Sequence, residues 1–173
     1  MRLMYSIHQF DVRMFIGLNS SGIHANLIRV CRLISWSADG FLYVALALGL
    51  YWHQGPSSPL LQSLLLAFAL ERPVYFVLKN GFKRNRPQQA IQDFRSVITP
   101  SDQFSFPSGH TSAACMMATL VSYFFPSVAI GLYFWAVLVG FSRVVLGVHF
   151  PTDTLIGMVL GVGIAFFALN YIL

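Results

Sequence analysis

Acidic side chains are scarce in this chain: six Asp and Glu stand against eleven Lys and Arg, and only 10% of the 173 residues are charged. Soluble domains carry about 25% charged residues. With 56% hydrophobic residues and a mean hydropathy of +0.65, the composition excludes an ordinary water-facing globule and sets an integral membrane protein as the expectation. Cysteine is equally sparse. Cys31 and Cys115 have neither the spacing of a zinc site nor a reason to pair, which removes metal fingers and disulfide scaffolds. No internal repeat or low-complexity tract occurs. The stretch SIHQFDVRMF interrupts the start of the chain where a cleavable signal would need a continuous apolar core, so insertion through the chain's own spans is expected. The net charge of +5 is not spread as a nucleic-acid-binding face would be. Its cations cluster between Lys79 and Arg95, which points to a local anion site.

What the chain does have is apolar runs of membrane-spanning length. Residues 8–18 and 24–36 mix apolar positions with Arg13, Arg29 and Arg32 at helical spacing, the pattern of an amphipathic segment at the bilayer interface. Spans follow at about 40–52, 60–78, 108–125, 128–146 and 152–173, broken by GPSSP, by a polar loop from 88 to about 106, by Pro126 and by Pro151. The expected fold is all-α: one integral-membrane helical bundle over residues 1–173, with five or six spans, an amphipathic or interfacial segment at 1–37 and a core at 60–173. The span ending at Leu78, the one opening at Ser108, the one ending near Leu146 and the one opening at Thr152 then meet the same membrane face.

Three short stretches gather at that face: KNGFKRNRP (79–87), PSGH (107–110) and SRVVLGVHFPTD (142–153). Hydrolysis of a phosphate ester needs neutralised oxygens, an in-line nucleophile and an acid for the leaving group. Lys79, Arg86 and Arg143 supply cations, and arginine can grip phosphate through two parallel hydrogen bonds. Ser108 and Gly109 open a helix, where unpaired N–H groups and the helix dipole favour an anion. His149 and Asp153 are four residues apart; a helix beginning near His149 would let the carboxylate hold one ring nitrogen and leave the other to attack phosphorus. His110, on another helix, is left as the acid.

In their order and spacing these residues resemble the three-part signature of the type 2 phosphatidic acid phosphatase family, which includes lipid phosphate phosphatases and the related vanadium haloperoxidases. Lys79, Arg86 and Pro87 match the first part, Pro107 to His110 the second, and Ser142, Arg143, His149 and Asp153 the third, without departure over residues 60–173. The resemblance implies a metal-independent membrane phosphatase without cofactor. In it His149 would form a phosphohistidine, His110 would serve as acid and then as base for water, and Asp153 would orient His149. Lys79, Arg86, Ser108, Gly109 and Arg143 would bind the phosphoryl group.

The implied partners are the lipid bilayer and a lipid phosphate or diphosphate; undecaprenyl diphosphate is favoured slightly over phosphatidylglycerophosphate and phosphatidic acid. Neither nucleic acid nor an obligate protein partner is inferred. Bacterial relatives imply an inner-membrane protein with its site facing the periplasm, although the loops 53–59 and 125–127 that this orientation puts in the cytoplasm hold no Lys or Arg, against the positive-inside tendency. A vanadate-dependent oxidoreductase and a non-catalytic headgroup binder or transporter are the rivals. The first conflicts with the apolar spans, and the second leaves the paired histidines without a purpose. His8, His24 and His53 read as packing or interface residues, Lys83 and Arg84 as headgroup anchors, and Asp39, Asp93 and Asp102 as solvated or capping residues. Glu71 and Arg72, inside a span, read either as a structural pair or as support for a site cation.

Overall fold

The computed structural model describes residues 2–19 and 25–173; the expectation for His24 lies outside them. Among the described residues the chain is helical throughout, with no strand: α1 (Arg2–Asn19), α2 (Ala25–Trp36), α3 (Gly40–Gln54), α4 (Pro59–Phe82), the short α5 (Pro87–Ala90), α6 (Gly109–Phe124), α7 (Ala129–Val145) and α8 (Pro151–Ile172). Among the described residues, four stretches are long and apolar enough to cross a membrane: Ala25–Gln54, Pro59–Ala90, Pro126–Val145 and Pro151–Ile172. Large side chains such as Trp52, Phe76, Val77, Ile130 and Val159 are exposed on the outside of the bundle, as lipid-facing residues should be.

The bundle is organised around α6, which packs against α4, α7 and α8. Every residue from Thr111 to Leu120 is buried. Its Ala, Ser and Thr side chains are small, so neighbouring backbones come close, and tight backbone approach is what holds helices together where lipid offers no hydrophobic contrast. At Gly161 of α8 an added Cβ would sit 2.1 Å from the Ser112 carbonyl oxygen, so only glycine admits this crossing. With 16 residues α6 spans only ~24 Å at ~1.5 Å per residue, short of the ~30 Å hydrocarbon core. Its enclosure by other helices makes that length sufficient.

The N-terminal helices differ from a purely interfacial segment. Cys31 and Ser35 of α2 are buried where that helix packs on α7. Only the turn at residues 37–39 separates α2 from α3, so the two form one apolar stretch. Helix α1 closes the site end of the bundle: Phe15 is buried edge-on to Phe94 (4.9 Å between centroids) and Phe150 (5.6 Å). Helix α4 runs one turn beyond its expected end at Leu78, which puts Lys79 in its last turn. Helix α8 begins at Pro151, two residues after His149.

Candidate active site

Backbone and side-chain bonds draw the three signature stretches to one end of the bundle. The Arg86 guanidinium, two residues after Arg84 in the turn between α4 and α5, donates from Nη1 to the Val148 carbonyl at 2.6 Å. The His149 N–H donates to the Arg143 carbonyl at 3.3 Å, tying the end of α7 to the segment before α8. The Ser108 N–H donates to the Asp153 carbonyl at 3.0 Å, joining the start of α6 to the first turn of α8. His110, in the first turn of α6, shares a cavity of about 290 Å³ with Arg143. Cations, histidines and carboxylate from four helices and two loops therefore converge.

His149 is almost fully buried, and burial pushes its imidazole down to about 4, outweighing the raising influence of Asp153. It is neutral at physiological pH, the state a nucleophile requires. Because α8 starts only at Pro151, the expectation that His149 and Asp153 share a helical face does not hold. They still meet: Asp153 Oδ2 lies 3.8 Å from His149 Nδ1, a charge contact too long for a hydrogen bond, and among the described residues Nδ1 has no hydrogen-bond partner. The carboxylate is held from elsewhere. Its Oδ2 accepts from the Phe150 N–H at 2.8 Å, and its Oδ1 accepts from Arg84 Nη1 at 2.7 Å.

Arg84 is thus not a headgroup anchor. Its guanidinium also donates to Thr152 Oγ1 at 2.8 Å and to the fully buried Asp11 of α1 at 2.6 Å, and it stacks 4.6 Å over the Phe150 ring. Asp102 likewise departs from its solvated reading. It pairs with Lys79 Nζ at 2.7 Å and with Arg86 Nη2, and accepts from the Tyr75 hydroxyl at 2.6 Å. Burial alone would raise its carboxyl, but the bonds from Lys79 and Tyr75 and the charges of Lys79 and Arg86 hold it down at about 2. Asp39 occupies the N-cap position of α3 without a capping bond, and its carboxylate instead meets His110 Nε2 at 2.9 Å.

Two further details describe the surroundings of the expected phosphate cradle. The Ser108 N–H is already given to Asp153, and its hydroxyl exchanges a 2.9 Å bond with Thr111, so backbone donors for an anion at the start of α6 would come from Gly109 onward. Gly109 faces the Tyr75 ring, whose Cε2 would lie 2.9 Å from an added Cβ; the missing side chain makes room for the tyrosine that touches Lys79. Arg143 is buried, donates from Nη1 to Ser35 Oγ at 2.6 Å and keeps Nε without a partner among the described residues. Glu71 pairs with its neighbour Arg72, not with a signature cation.

Residues 60–173 match the PAP2 superfamily. The chain is 37% identical over 131 residues to phosphatidylglycerophosphatase B of Bacillus subtilis, a similarity covering 69% of this chain and 61% of that relative's length. In three dimensions it is similar to Aquifex aeolicus LpxE, with a TM-score of 0.81 and 28% identity over 92% of this chain and 94% of that one. It is equally similar to the first transmembrane PAP2 type phosphatidylglycerolphosphate phosphatase from Bacillus subtilis: TM-score 0.81, 29% identity, 96% of this chain and 86% of the other. Signature, fold and sequence similarity agree, and this integral-membrane chain belongs to the PAP2 superfamily.

Proposed function

We propose that the protein is a lipid phosphatase that transfers the phosphoryl group to His149 and then to water. The observation that carries this reading is the convergence of Lys79, Arg86, Arg143, His110, His149 and Asp153 at one end of a membrane bundle. Asp153 faces Nδ1 of His149, which leaves Nε2 as the attacking atom. Attack forms the N–P bond as the ester P–O bond breaks, and His110 delivers a proton to the departing oxygen. Water then attacks the phosphohistidine, gives its proton to His110, and inorganic phosphate leaves. The Arg143 Nε–H, without a partner among the described residues, and the Gly109 N–H in the first turn of α6 are donors suited to the non-bridging oxygens. Lys79 and Arg86 hold Asp102 between them, and a phosphoryl group would share or displace that carboxylate. Without a metal ion in this scheme, turnover should survive excess chelator.

The substrate is a lipid phosphate or diphosphate, taken with its headgroup at the site and its tail along the helices. Undecaprenyl diphosphate is one reading. Phosphatidylglycerophosphate is a second, favoured by the name of the Bacillus subtilis relative above, found both by sequence and by structure. The location we propose is a bacterial inner membrane with the site facing the periplasm. Site-face cations need not report topology under the positive-inside tendency, since Lys79, Arg84 and Arg86 are each engaged by a buried or half-buried carboxylate. Phosphate release by purified protein from short-chain phosphatidylglycerophosphate, undecaprenyl diphosphate and phosphatidic acid, in chelator, tests the activity. Release from none of them would refute it. Labelling of Asp93→Cys by a membrane-impermeant thiol reagent in intact cells tests the orientation, and protection until the membrane is opened would reverse it.

A further inference from the structure

Resting on the phosphatase reading, we propose that Arg72 binds a second phosphoryl group lying between the scissile phosphate and the lipid tail. The substrates would then be lipids with two phosphates in series, either a prenyl diphosphate or a phosphodiester-linked phosphate, in preference to phosphatidic acid. Arg72 lies in the middle of α4, where an ionisable side chain is costly and marks a functional site by default. It is not hidden from its surroundings: its side chain is 50% exposed, while that of its partner Glu71 is fully buried. Glu71 takes Nε and Nη2 of the guanidinium through one oxygen, and among the described residues Nη1 has no hydrogen-bond partner. The buried carboxylate thus fixes the arginine and leaves one edge of it free.

Arg72 lines a groove of about 470 Å³ between α3, α4 and α6, as do His110 and Asp102. Along α4 the groove is lined by Tyr75, Arg72, Phe68 and Leu65, a stripe at helical spacing on one face, each step about one turn or ~5.4 Å farther from the site. Beyond Arg72 the lining is apolar, suited to a hydrocarbon chain. A lipid whose terminal phosphate sits at the histidines therefore meets Arg72 just where its headgroup passes into its tail. Tyr75 connects the two positions, with Arg72 Cζ 4.8 Å and Lys79 Nζ 4.4 Å from the same ring centroid. The acidic groups on the groove wall are already committed, Asp39 to His110 and Asp102 to Lys79 and Arg86. An incoming second phosphate would find Arg72 as its available cation there.

The test is the ratio of kcat/KM for a two-phosphate lipid over that for phosphatidic acid, measured on purified full-length protein with undecaprenyl diphosphate and with short-chain phosphatidylglycerophosphate. Arg72→Gln should lower the ratio about 10- to 100-fold, the range of a charge-assisted hydrogen bond, mainly through KM. Arg72→Lys should recover part of it. If Arg72→Gln fails to fold because Glu71 is stranded, Glu71→Gln with Arg72→Gln removes both charges and should show the same fall. A fall for one of the two lipids alone identifies which two-phosphate arrangement the site takes. An active enzyme whose ratio does not move in either variant would overturn this inference alone; a wild type inactive on all three lipids would overturn the phosphatase reading and this inference with it.

Discussion

Residues 60–173 carry every signature side chain and match the family, while the stretch before them carries none, yet both supply polar groups to the same site. The later part brings the proposed nucleophile and acid, and the cations. From the earlier part come the groups that hold them: Asp11 on Arg84, Ser35 on Arg143 and Asp39 on His110. Residues that would touch the phosphoryl group are fixed in type by its chemistry. Their supports need only a charge or a hydroxyl in the right place, which any neighbouring helix can provide.

This division predicts a graded response. His149→Ala should lower kcat/KM by at least about 10⁴-fold, because the covalent route is lost and only charge stabilisation remains. Circular dichroism would show that the helices persist. The pH profile of the native enzyme sharpens the same point. His149 is held near 4 by burial, so it stays neutral above that value and gains a proton below it; activity should fall on the acid side near pH 4, not near the ordinary imidazole value. Asp102, held at about 2, remains ionised across that limb and does not account for it. Because protonation of His110, the proposed base for water, also shapes the acid side of steady-state turnover, the limb is read on the phosphorylation step, where a midpoint near the ordinary imidazole value would count against a buried, uncharged nucleophile.

Asp39→Asn should cost about 10-fold, mostly in kcat, because His110 loses the carboxylate that orients its ring while the phosphate-binding cations stay in place. Asp11→Asn should cost less, about 3-fold, since Arg84 keeps its bond to Asp153. The comparison breaks if either N-terminal substitution is as damaging as His149→Ala. Steady-state kinetics on one lipid phosphate across the three variants decides it.

The site was legible in the sequence to the extent that its chemistry is local. Lys79 and Arg86 lie on either side of one helix end, and His149 and Asp153 are close enough along the chain to meet even though α8 starts later than their spacing suggests. Long-range pairings left no such trace. Arg84 stands beside Lys83 in a basic run and looks like any interfacial cation, but its carboxylate partners are 69 and 73 residues away and are brought to it by the docking of α1 and α8. Asp102 sits in a loop without periodicity, so nothing local distinguishes it from a solvated aspartate. Helix positions were readable from apolar runs. The burial of α2 against α7 and the close α6–α8 crossing at Gly161 were not, since both depend on which faces meet across the bundle.

The most direct test of the account is to trap the covalent intermediate. Protein mixed with a lipid substrate ³²P-labelled in its terminal phosphate, quenched in base within milliseconds and digested, should yield a labelled peptide containing residue 149, with the label stable in base and lost in mild acid. The His110→Ala variant, slow to activate water, should accumulate more of it with a substrate whose leaving group needs no proton. Release of labelled phosphate with no protein-bound label, or label on a residue other than His149, would contradict the claim that this imidazole carries the phosphoryl group.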